Sequence, residues 1–388
     1  MNPGLRDRLP PPLLALAAFA IGTTEFVIVG LLPAVAADTG TSLSQAGLLV
    51  SGYALGVALG APPLAVLAAR ATPYRALALL MLLFIAGNAL CAAAPGYGWL
   101  MAGRMVASLT HGAFFGLGAT LAAELVAPQR RSAAIALMFS GLTLANVLGV
   151  PAGAWLGQQA GWRATFWAVS ALGVLALAAL LALVPRGVQL PAAAAGGWAV
   201  VRQPRLLGTL ALTALGFGGI FTTLTFLSPL LQAEGGFSAS QVNGLLLLFG
   251  LGLTAGNLLG GWAADRWPAR SLQVILAALA AVEGLLHLGL HRPAGVMVTV
   301  VLWGAAAFAT APGLQSRVLG EARDAPALAS TLNIAAFNLG NAGAAWLGAQ
   351  ALQAGLGLRW LPLLSAGLAL AALGLLAWMD RGGGVRRA

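Results

Sequence analysis

The chain has 388 residues, 60% of them apolar and only 8% charged, where a soluble domain carries roughly a quarter charged. With a mean hydropathy of +0.90 this excludes a water-soluble globule, and the formal charge of +10 does not mark a nucleic-acid face, because the basic residues stand singly or in pairs between apolar runs. All twenty basic residues are Arg, Cys91 is the single cysteine, and His111, His287 and His291 are not grouped with carboxylates, so no nucleotide motor, Schiff base, disulfide, metal centre or other cofactor is expected.

Polar breaks divide the chain into twelve apolar spans, at 13–37, 44–69, 76–94, 99–123, 134–159, 164–185, 205–231, 241–264, 271–290, 295–316, 328–352 and 360–379. Each approaches the roughly 20 residues a helix needs to cross about 30 Å of hydrocarbon. The first is read as a span although Arg6 and Arg8 precede it and Ala34-Val35-Ala36 mimics a cleavage site. It is too long for the apolar core of a signal peptide and carries Glu25 in its middle. Cytoplasmic loops are enriched in basic residues. With the N-terminus inside, sixteen arginines, among them Arg70, Arg75, Arg130, Arg131, Arg266, Arg270, Arg323, Arg386 and Arg387, fall on the cytoplasmic side. Arg163, Arg292 and Arg359 fall opposite, and Arg104 lies within a span. Both termini are therefore expected in the cytoplasm.

The longest break, with Pro191 and Gly196-Gly197, divides the spans six and six: an N-terminal bundle at 1–185, a linker at 186–204 and a C-terminal bundle at 205–388. Internal repetition agrees. Ser42-Leu43-Ser44-Gln45, followed by Gly47-Leu48-Leu49, returns as Ser238-Ala239-Ser240-Gln241, followed by Gly244-Leu245-Leu246. Trp155-Leu156-Gly157 likewise returns as Trp346-Leu347-Gly348. The expected fold is an all-α polytopic membrane protein, twelve transmembrane helices in two pseudo-symmetric six-helix bundles, with a site between them, which is a transporter architecture.

An ionisable side chain at mid-bilayer is costly and so carries a functional expectation. Glu25, behind Thr23 and Thr24 in the first span, is the leading proton carrier. Arg104, Ser108, His111 and Phe115 follow one another at spacings of four, three and four, which stacks them on one face of the fourth helix. His111 lies at about the depth of Glu25, so a carboxylate–imidazole pair is expected; Arg104 either faces the cavity or snorkels outward. Glu283 and His287, four apart, fit either a second titrating pair or, as preferred, a pair that neutralises itself at the periphery. Gly149, Gly153 and Gly157 repeat every fourth position around Pro151, a pattern that fits close packing and gating alike. Asn146, Asn333, Asn338 and Asn341 need partners inside lipid, and Phe221, Thr222, Thr223, Thr225 and Phe226 mix rings with hydroxyls. The substrate cavity is accordingly expected to draw on Thr24, Ser108, Phe115, Asn146, Phe221, Thr225 and Asn338.

These residues carry a resemblance. Gly22-Thr23-Thr24-Glu25-Phe26 with Gly30-Leu31-Leu32-Pro33, His111-Gly112-Ala113-Phe114-Phe115, and Ala145-Asn146-Val147-Leu148-Gly149-Val150-Pro151 with Gly161-Trp162-Arg163 resemble the major facilitator superfamily. Within it the chain is similar to the twelve-helix drug:proton antiporter group of arabinose-efflux-like and chloramphenicol-efflux-like permeases. The resemblance covers essentially the whole chain. It implies a role for Arg104 in proton transfer beside Glu25 and His111, and a cytoplasmic latch in Gly261-x-x-x-Asp265-Arg266-x-x-x-Arg270. The matching loop from Arg70 to Arg75 lacks the Asp, so a symmetric latch is not implied. Gly149-Val150-Pro151-Ala152-Gly153 is similar to the antiporter motif of the fifth helix but lacks a Gly directly before Pro. With Gly149, Pro151 and Gly153 as gating residues, the resemblance implies a proton-coupled efflux antiporter of the inner membrane. Its partners would be a small organic substrate such as a drug or sugar, protons and the lipid bilayer, without nucleic acid, for a chain acting as a monomer. An uptake permease, symporter or facilitator of the same fold remains the alternative, with a membrane receptor or enzyme the rival from another class.

Overall fold

The computed structural model describes residues 10–68, 71–127, 130–186, 188, 202–268, 270–322 and 326–384. Arg6, Arg8, Arg70, Arg323, Arg386, Arg387, Pro191 and Gly196-Gly197, and with them most of the expected linker, lie outside the described residues. Helices account for nearly everything described, and no strand occurs among these residues. Hydrocarbon offers backbone groups no partner outside the segment, which leaves a helix as the way for such a chain to cross.

Among the described residues twelve helical rods follow in order. The first four are α1 (Pro10–Thr39), α2 (Leu43–Ala68), α3 (Pro73–Ala92) and α4 (Tyr97–Glu124). The fifth, α5, runs as Arg131–Leu144, a π-helical turn at Ala145–Gly149 and Val150–Ala160; α6 is Trp162–Leu183. The seventh, α7, is broken into Pro204–Gly216, a 3₁₀ turn at Gly218–Ile220, Phe221–Leu224 and Leu227–Ala233. Then come α8 (Ala239–Arg266), α9 (Ser271–Gly289), α10 (Pro293–Glu321), α11 (Pro326–Gln353) and α12 (Leu361–Gly384, after a 3₁₀ turn at Leu358–Trp360). Eleven are long and apolar enough to span a membrane. The exception, α11, is as long as its neighbours, but Asn333, Asn338 and Asn341 lower its hydropathy. Large apolar side chains face outward, as on a surface solvated by lipid: Leu258 is 70% exposed, Trp378 72% and Leu288 76%.

Chain contacts divide the protein into two units, one of Met1–Thr41 with Gly52–Ala194, the other of Ser42–Ser51 with Ala195–Ala388. In the first, α3 lies against α4 and α6, and α1 against α5 and α6. In the second, α10 lies against α8 and α9, and α12 against α9, while α7 lies on α11 and α12.

The repeated Ser-x-Ser-Gln segments prove to be repeated helix starts. The Ser42 hydroxyl accepts from the Gln45 amide (3.2 Å) while the Gln45 side chain accepts from the Ser42 amide (3.1 Å). Ser238 and Gln241 reproduce the arrangement at 3.3 and 2.8 Å. Each is a capping box, satisfying otherwise orphaned N–H groups where α2 and α8 begin. The glycine ladders also acquire partners. Along α5, Gly149, Gly153 and Gly157 face Thr23, Val27 and Leu31 of α1, a matching four-residue ridge. Gly252, Gly256 and Gly260 of α8 lie against the carbonyls of Val301, Ala305 and Ala309 on α10, and Gly52, Gly56 and Gly60 of α2 against Met101, Ser108 and Leu109 on α4. The absent Cβ atoms let the backbones approach, which is how helices associate where no hydrophobic force separates helix from lipid. The π-turn of α5 ends just before Pro151, whose missing N–H and ring disturb the preceding turn, and it absorbs that disturbance.

Candidate functional site

In the first unit, α1 and α4 bring the expected residues together. Arg104 is fully buried, and its guanidinium donates to the backbone carbonyls of Thr24, in a short bond, and of Glu25 at 3.2 Å. Its charge also sits 4.3 Å from the centre of the Tyr53 ring on α2. Arg104 is thus an interior residue holding the Thr24-Glu25 turn of α1, not an interfacial snorkel. It does so through carbonyl dipoles and a π face rather than by pairing with the Glu25 carboxylate.

The Glu25 side chain keeps 10% of its exposure, and its Oε2 lies 3.7 Å from Nδ1 of His111. That is too long for a hydrogen bond, but a sub-ångström adjustment would close it. The imidazole is boxed by Tyr53 (6.3 Å, edge-on) and Phe115 (4.9 Å), and Phe115 stacks on Phe139 (5.3 Å). Of the four stripe residues, Arg104 and His111 therefore reach Glu25, and Phe115 packs on His111. Ser108 does not: its hydroxyl turns back to the Met105 carbonyl (2.7 Å) beneath Gly56. Thr24 donates to Asn88 Oδ1 of α3 at 2.5 Å, and Asn88 donates to the Phe84 carbonyl at 2.9 Å. Asn146, within the π-turn, donates to the Leu142 carbonyl at 3.0 Å. Tyr53 and Asn88 are members that sequence reasoning missed. Their signal was present in a buried amide within Gly87-Asn88-Ala89 and one of only three tyrosines.

In the second unit, Phe221 and Thr225 are buried at the broken part of α7, next to Phe217, whose ring meets Phe308 (5.1 Å) and Phe337 (4.8 Å). The Thr225 hydroxyl and Asn338 Oδ1 are buried without a hydrogen-bond partner among the described residues, while Asn338 Nδ2 donates to the Ile334 carbonyl. A polar chain runs from Thr213 to Asn333 (2.8 Å), Gln315 (2.7 Å) and Ser330 (3.0 Å), which accounts for one asparagine as interhelical structure. Asp265, Arg266 and Arg270 are exposed at the end of α8, and no ion pair links them among the described residues. The expected Glu283–His287 pair does not form. Glu283 turns to Trp303 (3.1 Å) and Ser365 (2.5 Å), whereas His287 meets the Arg359 carbonyl (2.7 Å) and stacks against Trp360. Four-residue spacing puts both on one side of α9, but neighbouring helices offer each a better partner.

Among the described residues no cluster of His, Cys, Asp or Glu could hold a metal ion. The first unit sets the Glu25 carboxyl 3.7 Å from an imidazole nitrogen, with the Arg104 guanidinium behind the helix turn that carries it.

Comparison with known proteins agrees with this helical frame. The family model of the Major Facilitator Superfamily matches residues 14–344. The inner membrane transport protein YdhP of Escherichia coli K12 is 43% identical over 378 residues, covering 95% of each chain. The chloramphenicol resistance protein of Streptomyces lividans is 38% identical over 96% of each. The putative transporter AraJ of E. coli K12 is 33% identical over 95% of this chain and 94% of its own. Among solved structures, a bacterial homolog of the human lysosomal transporter Spinster, inward-facing and unoccupied, superposes with a TM-score of 0.75 at 18% identity over 98% of both chains, a likeness of fold. The chain is a multi-pass membrane transporter and belongs to the Major Facilitator Superfamily.

Proposed function

We propose that the protein is a proton-driven efflux antiporter of the inner membrane, with both termini in the cytoplasm, that exports a small organic compound as protons enter. The observation that carries this is Glu25: a carboxyl in the interior of the first unit, one-tenth exposed, facing His111, on a turn of α1 gripped by the buried Arg104. A carboxyl so placed is free to gain and lose a proton, since no hydrogen bond ties its oxygens among the described residues. The names of two relatives, a chloramphenicol resistance protein and an inner membrane transport protein, support export across that membrane. Each proton crossing with the potential contributes about 2.3 kcal/mol per 100 mV, enough to concentrate a solute without ATP.

In the proposed cycle Glu25 takes a proton from outside and releases it inward, and substrate and proton favour different states of the carrier, which is all that exchange requires. Arg104 holds the turn of α1, and His111 is the group whose contact with Glu25 changes with the proton. The mixture of aromatic and polar walls suits a neutral or cationic amphipath. The test uses proteoliposomes with an imposed pH gradient and, as probes, chloramphenicol and ethidium. Wild type moves a probe against the direction of proton flow, and Glu25→Gln loses the pH-driven component. Unchanged coupling in the variant, or co-directional movement of probe and protons, would overturn the assignment.

A further inference from the structure

The second unit contains a buried acid that the proposed cycle does not use. Glu283 on α9 is fully buried, as is Trp303 on α10, and Ser365 on α12 is 1% exposed. Trp303 Nε1 donates to Glu283 Oε1 at 3.1 Å. The Ser365 hydroxyl lies 2.5 Å from the same Oε1 and 3.0 Å from the carbonyl oxygen of Gly219, in the 3₁₀ turn that interrupts α7. Glu283 Oε2 has no partner among the described residues.

Counting hydrogens decides how these contacts can coexist. A carbonyl only accepts, an indole only donates, and a serine hydroxyl has one proton to give. If Glu283 were ionised, Ser365 would face two acceptors with one proton, and a buried carboxylate would keep one oxygen bare, a costly state. If the carboxyl is protonated on Oε1, every contact has its hydrogen: Glu283 donates to Ser365, Ser365 donates to the Gly219 carbonyl, and Trp303 donates to Oε1. Among the described residues no charged side chain contacts the carboxyl to compensate an ionised form. The contacts made by α10 and α12 are Trp303 and Ser365, and His287, one turn along α9, is engaged with the Arg359 carbonyl and Trp360. Arg317 of α10 and Asp380 of α12 pair with each other instead.

We infer that Glu283 is held as a neutral carboxylic acid which, through Ser365, pins the broken turn of α7 to α9 and α12. It is a positioning residue rather than a second proton carrier. The pinned turn sets Phe217 and Phe221, which stand 6.4 Å apart on either side of Gly219. The inference is independent of the proton assignment to Glu25.

Two measurements on the full-length protein in proteoliposomes test it. In the Glu25→Gln background, infrared spectra should retain a carbonyl band of a protonated carboxylic acid through mildly alkaline pH, and Glu283→Gln should remove that band. Loss of the band on alkalinisation, with Glu283 present, would overturn the neutral assignment. Hydrogen–deuterium exchange should rise about tenfold in the Phe217–Phe226 segment for Glu283→Ala and for Ser365→Ala, and stay at the wild-type level for Glu283→Gln, which preserves a neutral donor. Equal exchange in the Gln and Ala variants would overturn the pin. Ser365→Ala leaves the acid in place and keeps the test decisive if Glu283→Ala does not fold.

Discussion

Replacing Gly256 by Ala puts the close contact of α8 and α10 under a measurable load. A Cβ there would point at the Ala305 carbonyl oxygen and lie 2.5 Å from its Cα and 2.6 Å from its carbonyl carbon, where ordinary contact begins at 3.4 Å. The obstacles are backbone atoms, so no side chain can swing aside, and the helices must separate by at least about 1 Å. A gap of that size forfeits a quarter to a half of the dispersion energy of each contact it opens. Overpacking of this kind costs about 1–3 kcal/mol, and the rigid obstacle puts Gly256 at the upper end. Better helix propensity returns about 1 kcal/mol, leaving a net loss of about 2 kcal/mol. Gly244, on the same helix, has nothing within 4 Å of its Cβ direction, so Gly244→Ala should gain the propensity term alone and stabilise. The assay is thermal unfolding of the two purified variants in one detergent. The reasoning fails if both shift the melting temperature in the same direction.

The capping boxes make a second pair of measurements: Ser42→Ala and Ser238→Ala should each cost about 1 kcal/mol in the same assay, and unchanged melting would show the boxes to be inert. At the end of α1, Arg163 pairs with Asp38 (2.6 Å), donates twice to the Ala94 carbonyl (3.0 and 3.3 Å) and lies 4.2 Å over the Trp162 ring. Both partners are more than a third exposed, so Asp38→Asn should cost under about 1 kcal/mol and lose that effect in high salt. Arg163→Ala, which also removes the carbonyl bonds and the ring contact, should cost about 2–3 kcal/mol with a salt-insensitive remainder. Equal losses at both positions would contradict this division.

Much of the site was legible because helical spacing fixes which residues share a face. Spacing puts Arg104 and His111 on one stripe and Gly149, Gly153 and Gly157 on one ridge, and both meet α1. Spacing does not say which neighbouring helix a face will meet, and so it puts Ser108 with the cavity although its hydroxyl turns back to its own helix. The glycine series of α2 and α8 are illegible for the same reason: without α4 and α10 opposite, they look like ordinary glycines in apolar runs.

Composition alone determined the solvent, and the solvent determined the secondary structure: a chain this apolar lies in lipid, lipid admits helices, and polar interruptions number them. Sequence also set where α2 and α8 begin, since a capping box is built from residues three apart. Tertiary structure alone decided the partners of the buried acid on α9. Glu283 reaches Trp303 and Ser365, 20 and 82 residues away, and not His287, four away, because α10 and α12 pack donors against its carboxyl while His287 is engaged by the Arg359 carbonyl.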